Sequence, residues 1–278
     1  MSFPILLAVL GAALLHALWN GLVRTGSSRV QVMMVLSAVQ GLIGLVLALG
    51  HDWPGPSVWP WLLASGLVHS AYKVFLTFAY EQGDLSRVYP LARGTAPLLV
   101  LTVGSIFVEE RLSLPEVTGI CLLGAGILLM VSGVFTHGEQ RRLIPYALGA
   151  AIATASYSML DGQGARVWGN AGAFVAWMFL LDGLIFAAAM LFLRGVSAVP
   201  GRGRVWLLGS AGAAASYASY AIVVWAMTLA PIALVAAMRE TSVIFGVLIG
   251  WLFLGERMSR SKILSVLLIA TGVVVTRL

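Results

Sequence analysis

The sequence predicts an all-α membrane protein of ten transmembrane helices arranged as two inverted five-helix repeats. Three observations lead there. Of the 278 residues, 60% are hydrophobic and only 10% charged, against roughly 25% charged in a soluble chain. Ten stretches reach the roughly 20 apolar residues needed to cross a bilayer core of about 30 Å. The second half of the chain also repeats the first, polar residues included.

The spans follow in order. Residues 3–23 form the first and 30–50 the second, which the breaker run His51-Asp-Trp-Pro-Gly-Pro56 ends. Residues 57–80 form the third and 85–108 the fourth, where Pro90 and Pro97 remove backbone hydrogen bonds and should kink the helix near Arg93. Residues 115–135 complete the first unit and carry the single Cys121 in mid-span, so no intramolecular disulfide exists. The second unit comprises 143–164, 171–193, 205–229, 231–254 and 260–277, with Pro200-Gly-Arg-Gly-Arg204 as a breaker and Gly246 and Gly250 offering close helix contact in the ninth span. Length selects helix over barrel strand, since strands need only about 10 residues and alternate in polarity. A helix also satisfies its own backbone in lipid.

Residues 93–131 align with 239–277 at a constant shift of 146, matching Arg93 with Arg239, Thr95 with Thr241, Glu110 with Glu256, Arg111 with Arg257 and Gly126 with Gly272. Composition alone would align Leu with Val, not arginine with arginine. At a shift of 145, Trp61 and Tyr72 meet Trp206 and Tyr217; at 142, Gly41 meets Gly183 and Gln40 falls opposite Asp182; at 141, His16 and Asn20 meet Tyr157 and Asp161. The boundaries are 1–137 for the first repeat and 138–278 for the second. Five spans per copy is an odd number, so the copies enter the membrane from opposite sides. In proteins of that construction the substrate site lies near the midplane between the halves.

Lys and Arg are unevenly placed. The odd-numbered loops hold eleven, among them Arg24, Arg29, Arg141, Arg142, Arg194 and Lys262, while the even loops and termini hold Arg111, Arg166 and Arg277. This bias puts the odd loops in the cytoplasm and both termini outside. The net charge of +6 is thereby read as topology rather than nucleic-acid binding. No Lys or Arg precedes the first apolar stretch, which reads as a span and not a signal peptide.

An ionisable group at mid-span costs at least about 2.5–3.5 kcal/mol on insertion scales and faces a partner or a water-filled cavity. His16, His69, Lys73, Arg93, Asp161, Asp182, Arg239 and Glu240 are such groups. Helical spacing joins His16, Trp19 and Asn20 on one face, His69, Tyr72 and Lys73 on another, then Tyr89 with Arg93, Tyr157 with Asp161, and Tyr217 with Tyr220. These stripes are expected to line a substrate cavity. Arg93 and Arg239 stand at corresponding positions of opposed copies, and two guanidinium forks can bind one anionic group together. Plain structural readings stand beside these: Lys73 with Asp182 as a neutralising pair, Arg239 paired with Glu240 or Asp182, Arg93 on helix carbonyls, Asp161 as an interfacial cap near its helix end, and Glu110 and Glu256 as latches at helix ends. His16, His69, Asp182 and Glu240 are the candidates for proton coupling, since protonation changes the cost of burying each.

The run Gly83-Asp-Leu-Ser-Arg-Val-Tyr-Pro-Leu-Ala-Arg-Gly-Thr-Ala-Pro97, with Val108-Glu-Glu-Arg-Leu-Ser113 and its second copy Leu254-Gly-Glu-Arg-Met-Ser259, resembles the EamA branch of the drug/metabolite transporter superfamily. His16-Ala-Leu-Trp-Asn20 and Ser158-Met-Leu-Asp-Gly-Gln-Gly-Ala-Arg166 extend the resemblance over the whole chain. It implies a multi-pass carrier of the bacterial inner membrane whose central cavity is built mainly from the first, third, fourth, sixth, eighth and ninth helices. Relatives move amino acids and other metabolites, organic cations or phosphorylated solutes. Small multidrug exporters of the superfamily use a glutamate in the first helix, where this chain has His16, which weakens the cation-exporter reading.

The expected function is therefore secondary transport by alternating access of a small polar metabolite, an amino-acid-like zwitterion or organic anion. The arginines or Lys73 would hold its acidic group, and Asp182 or Glu240 would lie nearer its amine. A proton-antiporting exporter of organic cations or drugs is the alternative, as is a lipid-linked flippase. An enzyme is not expected, because His-x-x-x-His, Gly-x-Ser-x-Gly and Cys–His arrangements are lacking. Nor is a cofactor, a metal or a nucleic-acid partner. The expected partners are a small-molecule substrate, the lipid bilayer and coupled protons, around a monomer.

Overall fold

A computed structural model describes residues 1–24, 29–82, 96–107, 110–132, 143–201, 203–255 and 258–278. Among these the chain is helical: α1 Phe3–Arg24, α2 Arg29–Ala48, α3 Trp59–Gln82, α4 Ala96–Phe107, α5 Leu114–Ser132, α6 Leu143–Trp168, α7 Ala171–Arg194, α8 Gly203–Leu229, α9 Ile232–Arg239, α10 Ser242–Leu254 and α11 Arg260–Val275. Among the described residues six stretches are long and apolar enough to cross a membrane, Phe3–Leu22, Val30–Ala48, Trp59–Ala79, Ala171–Ala198, Gly203–Leu229 and Ile232–Leu252. Much of the fourth predicted span, including Tyr89, Pro90 and Arg93, lies outside the described residues, as do Glu256 and Arg257.

Local chemistry sets the helix ends. Ser113 and Glu116 form a reciprocal capping box at the start of α5, the Ser113 backbone N–H donating to Glu116 Oε2 at 2.9 Å and the Glu116 N–H to Ser113 Oγ at 3.4 Å. Asn170 accepts the Ala173 N–H at 3.0 Å to start α7. Gly255, at φ 66°, stops α10 in the left-handed region that a side chain would disfavour. Pro97 sits in the first turn of α4, where its missing N–H costs nothing.

Two departures from the predicted spans bear on the site. The ninth span is two helices, α9 and α10, separated at Glu240 and Thr241. The sixth runs four residues beyond its expected end at 164, to Trp168. Its glycines do not end it. They admit neighbours: a Cβ on Gly162 would stand 2.7 Å from Ile232 Cγ1, and one on Gly164 would stand 2.8 Å from Trp61 Cβ.

The packing pairs α2 with α7, α5 with α11, α3 with α6 and α1 with α8, while α2 also meets α8 and α3 meets α7. Glycine permits the closest crossings. Gly41 and Gly183, which the sequence aligns with each other, stand face to face; a Cβ on Gly183 would lie 2.9 Å from Gly41 Cα and 2.9 Å from the Ser37 carbonyl oxygen. Gly183→Ala should therefore force α2 and α7 apart and destabilise the protein by about 1–3 kcal/mol, as overpacking does. Thermal unfolding in detergent measures this; Gly11→Ala, where a Cβ meets nothing within 4 Å, should leave the midpoint near that of the parent.

Burial runs opposite to a soluble protein. Leu42, Val46, Leu63, Leu67, Ile152 and Leu184 are exposed, whereas Ser37, Gln40, Ser65, Lys73, Asp161, Asp182 and Glu240 are buried. Contacts between helix ends define two faces. Gln31 at the start of α2 reaches the Ser197 carbonyl after α7 at 3.2 Å, and Arg194 lies 5.1 Å above the Phe78 ring at the end of α3, so the start of α2 and the ends of α3 and α7, which flank odd-numbered connections, share a face. Arg277 reaches the Met1 carbonyl; Trp53 and Trp177 meet edge to face at 4.6 Å. The termini and even-numbered connections form the opposite face.

Candidate functional site

Three clusters of buried polar side chains meet between the helices. In the first, the Lys73 ammonium on α3 donates to Ser37 Oγ at 2.8 Å and Gln40 Oε1 at 3.0 Å on α2, and to Asp182 Oδ2 on α7. An ammonium has three N–H donors, and these three acceptors take them all. Gln40 and Asp182, matched by the repeat, thus converge on one cation. Ser70 Oγ adds a hydrogen bond to Asp182 Oδ1 at 3.1 Å. The pairing of Lys73 with Asp182 is present, and Lys73 carries a full set of protein acceptors where it meets the cavity.

The second cluster centres on Asp161 of α6, which is fully buried. It accepts Ser65 Oγ–H on Oδ1 and Tyr220 O–H on Oδ2, and His69 Nε2 stands 2.8 Å from Oδ2. The interfacial-cap reading of Asp161 is corrected here: with α6 continuing to Trp168, the residue sits about two turns inside the helix and joins α3, α6 and α8. The Tyr157 ring stacks on His69 with centroids 4.1 Å apart, and Tyr220 meets His69 edge-on at 5.1 Å.

The third cluster lies at the α9–α10 break. Arg239, 2% exposed, ends α9 with its guanidinium carbon 5.6 Å from the Tyr157 ring centre and Nη2 3.3 Å from Glu240 Oε1. Of the structural alternatives for Arg239, the pairing with Glu240 is present. A cation in the last turn of a helix is also favoured by the helix dipole.

These clusters border a partly open cavity of about 50 Å³. Its wall takes His16 and Trp19 from α1, Gln40 from α2, His69, Tyr72 and Lys73 from α3, Tyr157 from α6, Ser216 and Tyr220 from α8, and Arg239 from α9, with Met33, Leu36 and Phe179 as apolar lining. Trp19 Nε1–H donates to His16 Nδ1 at 3.2 Å, fixing that ring against the wall. Met33, near the start of α2, stands at the odd-connection side of this lining, and Arg239, at the end of α9, stands nearer the other face.

Several expected members stand elsewhere. The Asn20 side-chain amide donates to its own helix at the His16 carbonyl, 2.7 Å away. Tyr217 packs on Phe179 at 5.0 Å between ring centres, outside the wall. Asp161, Asp182 and Glu240 lie behind the wall rather than in it. Conversely, Gln40, Ser216 and Phe179 line the cavity without having been singled out from the sequence. For Gln40 a signal existed, namely its alignment with Asp182.

Away from the cavity, Glu110 follows α4 and reaches the start of α9. Its Oε1 accepts the Ile232 backbone N–H at 2.7 Å and Arg166 Nη2–H at 3.1 Å, and its Oε2 accepts the Ala233 N–H at 3.2 Å. Arg166 also donates to the Met227 and Ala230 carbonyls at 3.0 and 2.9 Å.

An apolar exterior around buried charges and a polar cavity is that of a multi-pass membrane protein. The chain belongs to the EamA-like transporter family, whose profile matches it twice, over residues 3–132 and 141–278. The family expected from the motifs is the family found. A Sinorhizobium protein described as an uncharacterized transporter in the cobO 3' region is 29% identical over 128 residues, covering 44% of this chain and 82% of its own. A protein of known crystal structure superposes on 99% of this chain and 98% of its own with a TM-score of 0.76 at 21% identity. At that identity the likeness speaks for the fold alone.

Proposed function

We propose that the protein is a bacterial inner-membrane secondary transporter of a small zwitterionic or anionic metabolite, held at Arg239 and moved by alternating access between two inverted five-helix repeats. The observation that carries the substrate class is a permanently charged guanidinium in the cavity wall, at the break of a membrane-length helix. Arg cannot shed its charge to lessen the cost of burial, so a guanidinium bordering the cavity favours an acidic group. Broken helices at the midplane are where transporters of inverted construction bind solutes. The doubled family match, the meeting of Gly41 with Gly183 and the convergence of Gln40 and Asp182 on Lys73 support the two-repeat reading. Because Lys73 is saturated, Arg239, with Arg93 as its repeat mate, is assigned the acidic group.

A second reading has an observation of its own: Trp19, Tyr72, Tyr157, Phe179 and Tyr220 line the same space, and aromatic faces hold organic cations. A thermal-unfolding screen against amino acids, organic anions, phosphonates and organic cations separates the two. A ligand at about 100 times its dissociation constant stabilises by about 2.7 kcal/mol. Zwitterions or anions should raise the midpoint of the parent, and Arg239→Gln should fold yet lose that response. Stabilisation by cations alone, equal in the variant, would replace the proposal with the cation-exporter reading.

A further inference from the structure

The hydrogen bonds around Glu110 serve a part of the molecule that the cavity chemistry does not use. Glu110 belongs to the first half of the chain, in the connection after α4. Its partners among the described residues belong to the second half: Arg166 in the last turn of α6, and the backbone N–H groups of Ile232 and Ala233 at the start of α9. The carboxyl side chain is only 6% exposed. Arg166 binds the Met227 and Ala230 carbonyls at the end of α8. Thus one carboxylate and one guanidinium close the α4–α5, α6–α7 and α8–α9 connections together at the even face, on the far side of the cavity from its lining at Met33.

α9 joins this closure to the cavity. It is an eight-residue helix, about 12 Å long at ~1.5 Å per residue, with Ile232 held at one end and Arg239 in the cavity wall at the other. Beyond Arg239 the chain tightens at Glu240 and Thr241, whose N–H groups donate to the Ala237 and Met238 carbonyls at 3.0 and 3.1 Å, before α10 begins. Gly162 of α6 seats Ile232 so closely that an added Cβ would stand 2.7 Å from its Cγ1. The groups that separation would expose, two N–H groups, two carbonyls and an ion pair, lie at a helix end where water can take over their hydrogen bonds. Buried in the span they would have no such replacement.

We propose that Glu110 and Arg166 form the even-face gate of the transporter, broken and re-formed once per cycle, and that α9 makes Glu110 a positioning residue for Arg239. This rests on the alternating-access reading above, yet its test needs no solute. In a Cys121→Ser background, Met159→Cys, on α6 between the cavity and the gate, reports access from the even face. Met33→Cys reports access from the odd face. Each is labelled with a membrane-impermeant maleimide in right-side-out and inverted vesicles.

Glu110→Gln and Arg166→Gln should each raise even-face labelling of Met159→Cys about tenfold, the weight of one charge-assisted bond, while lowering odd-face labelling of Met33→Cys. A variant that is only loosened or misfolded would raise labelling at both positions, and that result would overturn the gate, as would labelling unchanged at both. Reciprocal labelling with no ligand found in the screen would instead leave the gate standing and sink the substrate assignment.

Discussion

Lys73→Met should destabilise the protein by about 3–5 kcal/mol, the usual cost of leaving a buried charge without its counter-ion. The Asp182 carboxylate is fully buried, and after the substitution its described partner is Ser70, through one hydroxyl at 3.1 Å. Gln40 and Ser37 would lose their shared donor in the same step. Asp182→Asn removes the opposite charge and should be comparably harmful, because the buried ammonium is then left with neutral acceptors and no counter-ion. The double change Lys73→Met with Asp182→Leu should recover most of the loss, since a buried pair replaced by apolar groups of similar volume is often neutral. Chemical unfolding of the detergent-solubilised variants gives the cycle. A Lys73→Met protein as stable as the parent would show that Asp182 is not charged in the folded state, and the saturation argument that assigns the solute to Arg239 would fall with it.

That argument needed the structure, and it marks where sequence reading stops. The span ends of α1, α2, α3, α7 and α8 were legible to within two or three residues because membrane thickness fixes apolar length and turn residues mark the stops. Helix faces were legible too: His16 with Trp19, and His69 with Tyr72 and Lys73, recur at helical spacing and do line one cavity. The break at Glu240 and Thr241 was not, because neither proline nor glycine marks it. The run of α6 past Gly162 and Gly164 was missed for the converse reason. Glycine next to a polar run reads as a stop, but here it serves the close approach of Ile232 and Trp61. Least legible was the partnering of buried groups. Periodicity gives the face a side chain occupies but not which neighbouring helix supplies its counterpart, so the pairing of Asp161 with His69, Ser65 and Tyr220 had no trace in the sequence.

Asp161→Ala should cost more than any single change in the aromatic wall before it, because two hydroxyl donors and the His69 ring converge on that one carboxylate. A hydrogen bond to a charged group contributes about 1.5–3 kcal/mol, and each donor left buried without an acceptor adds a desolvation cost of about 1–3 kcal/mol. Ser65 and Tyr220 are buried and His69 is 5% exposed, so water does not readily substitute. Tyr220→Phe alone should cost about 1.5–3 kcal/mol in the parent and much less in the Asp161→Ala background, where its acceptor is already gone. The two changes therefore should not add, and the coupling from unfolding free energies should exceed the roughly 0.5 kcal/mol scatter of independent sites. Binding should respond along with stability, because His69 and Tyr220 face the cavity while Asp161 stands behind them and holds both rings in place. The ligand found in the screen should accordingly bind more weakly to Asp161→Ala at a temperature where the variant remains folded. Additive unfolding energies, or binding equal to the parent's, would mean that the rings are held by packing alone, with Tyr157 stacked on His69 sufficient to fix the wall.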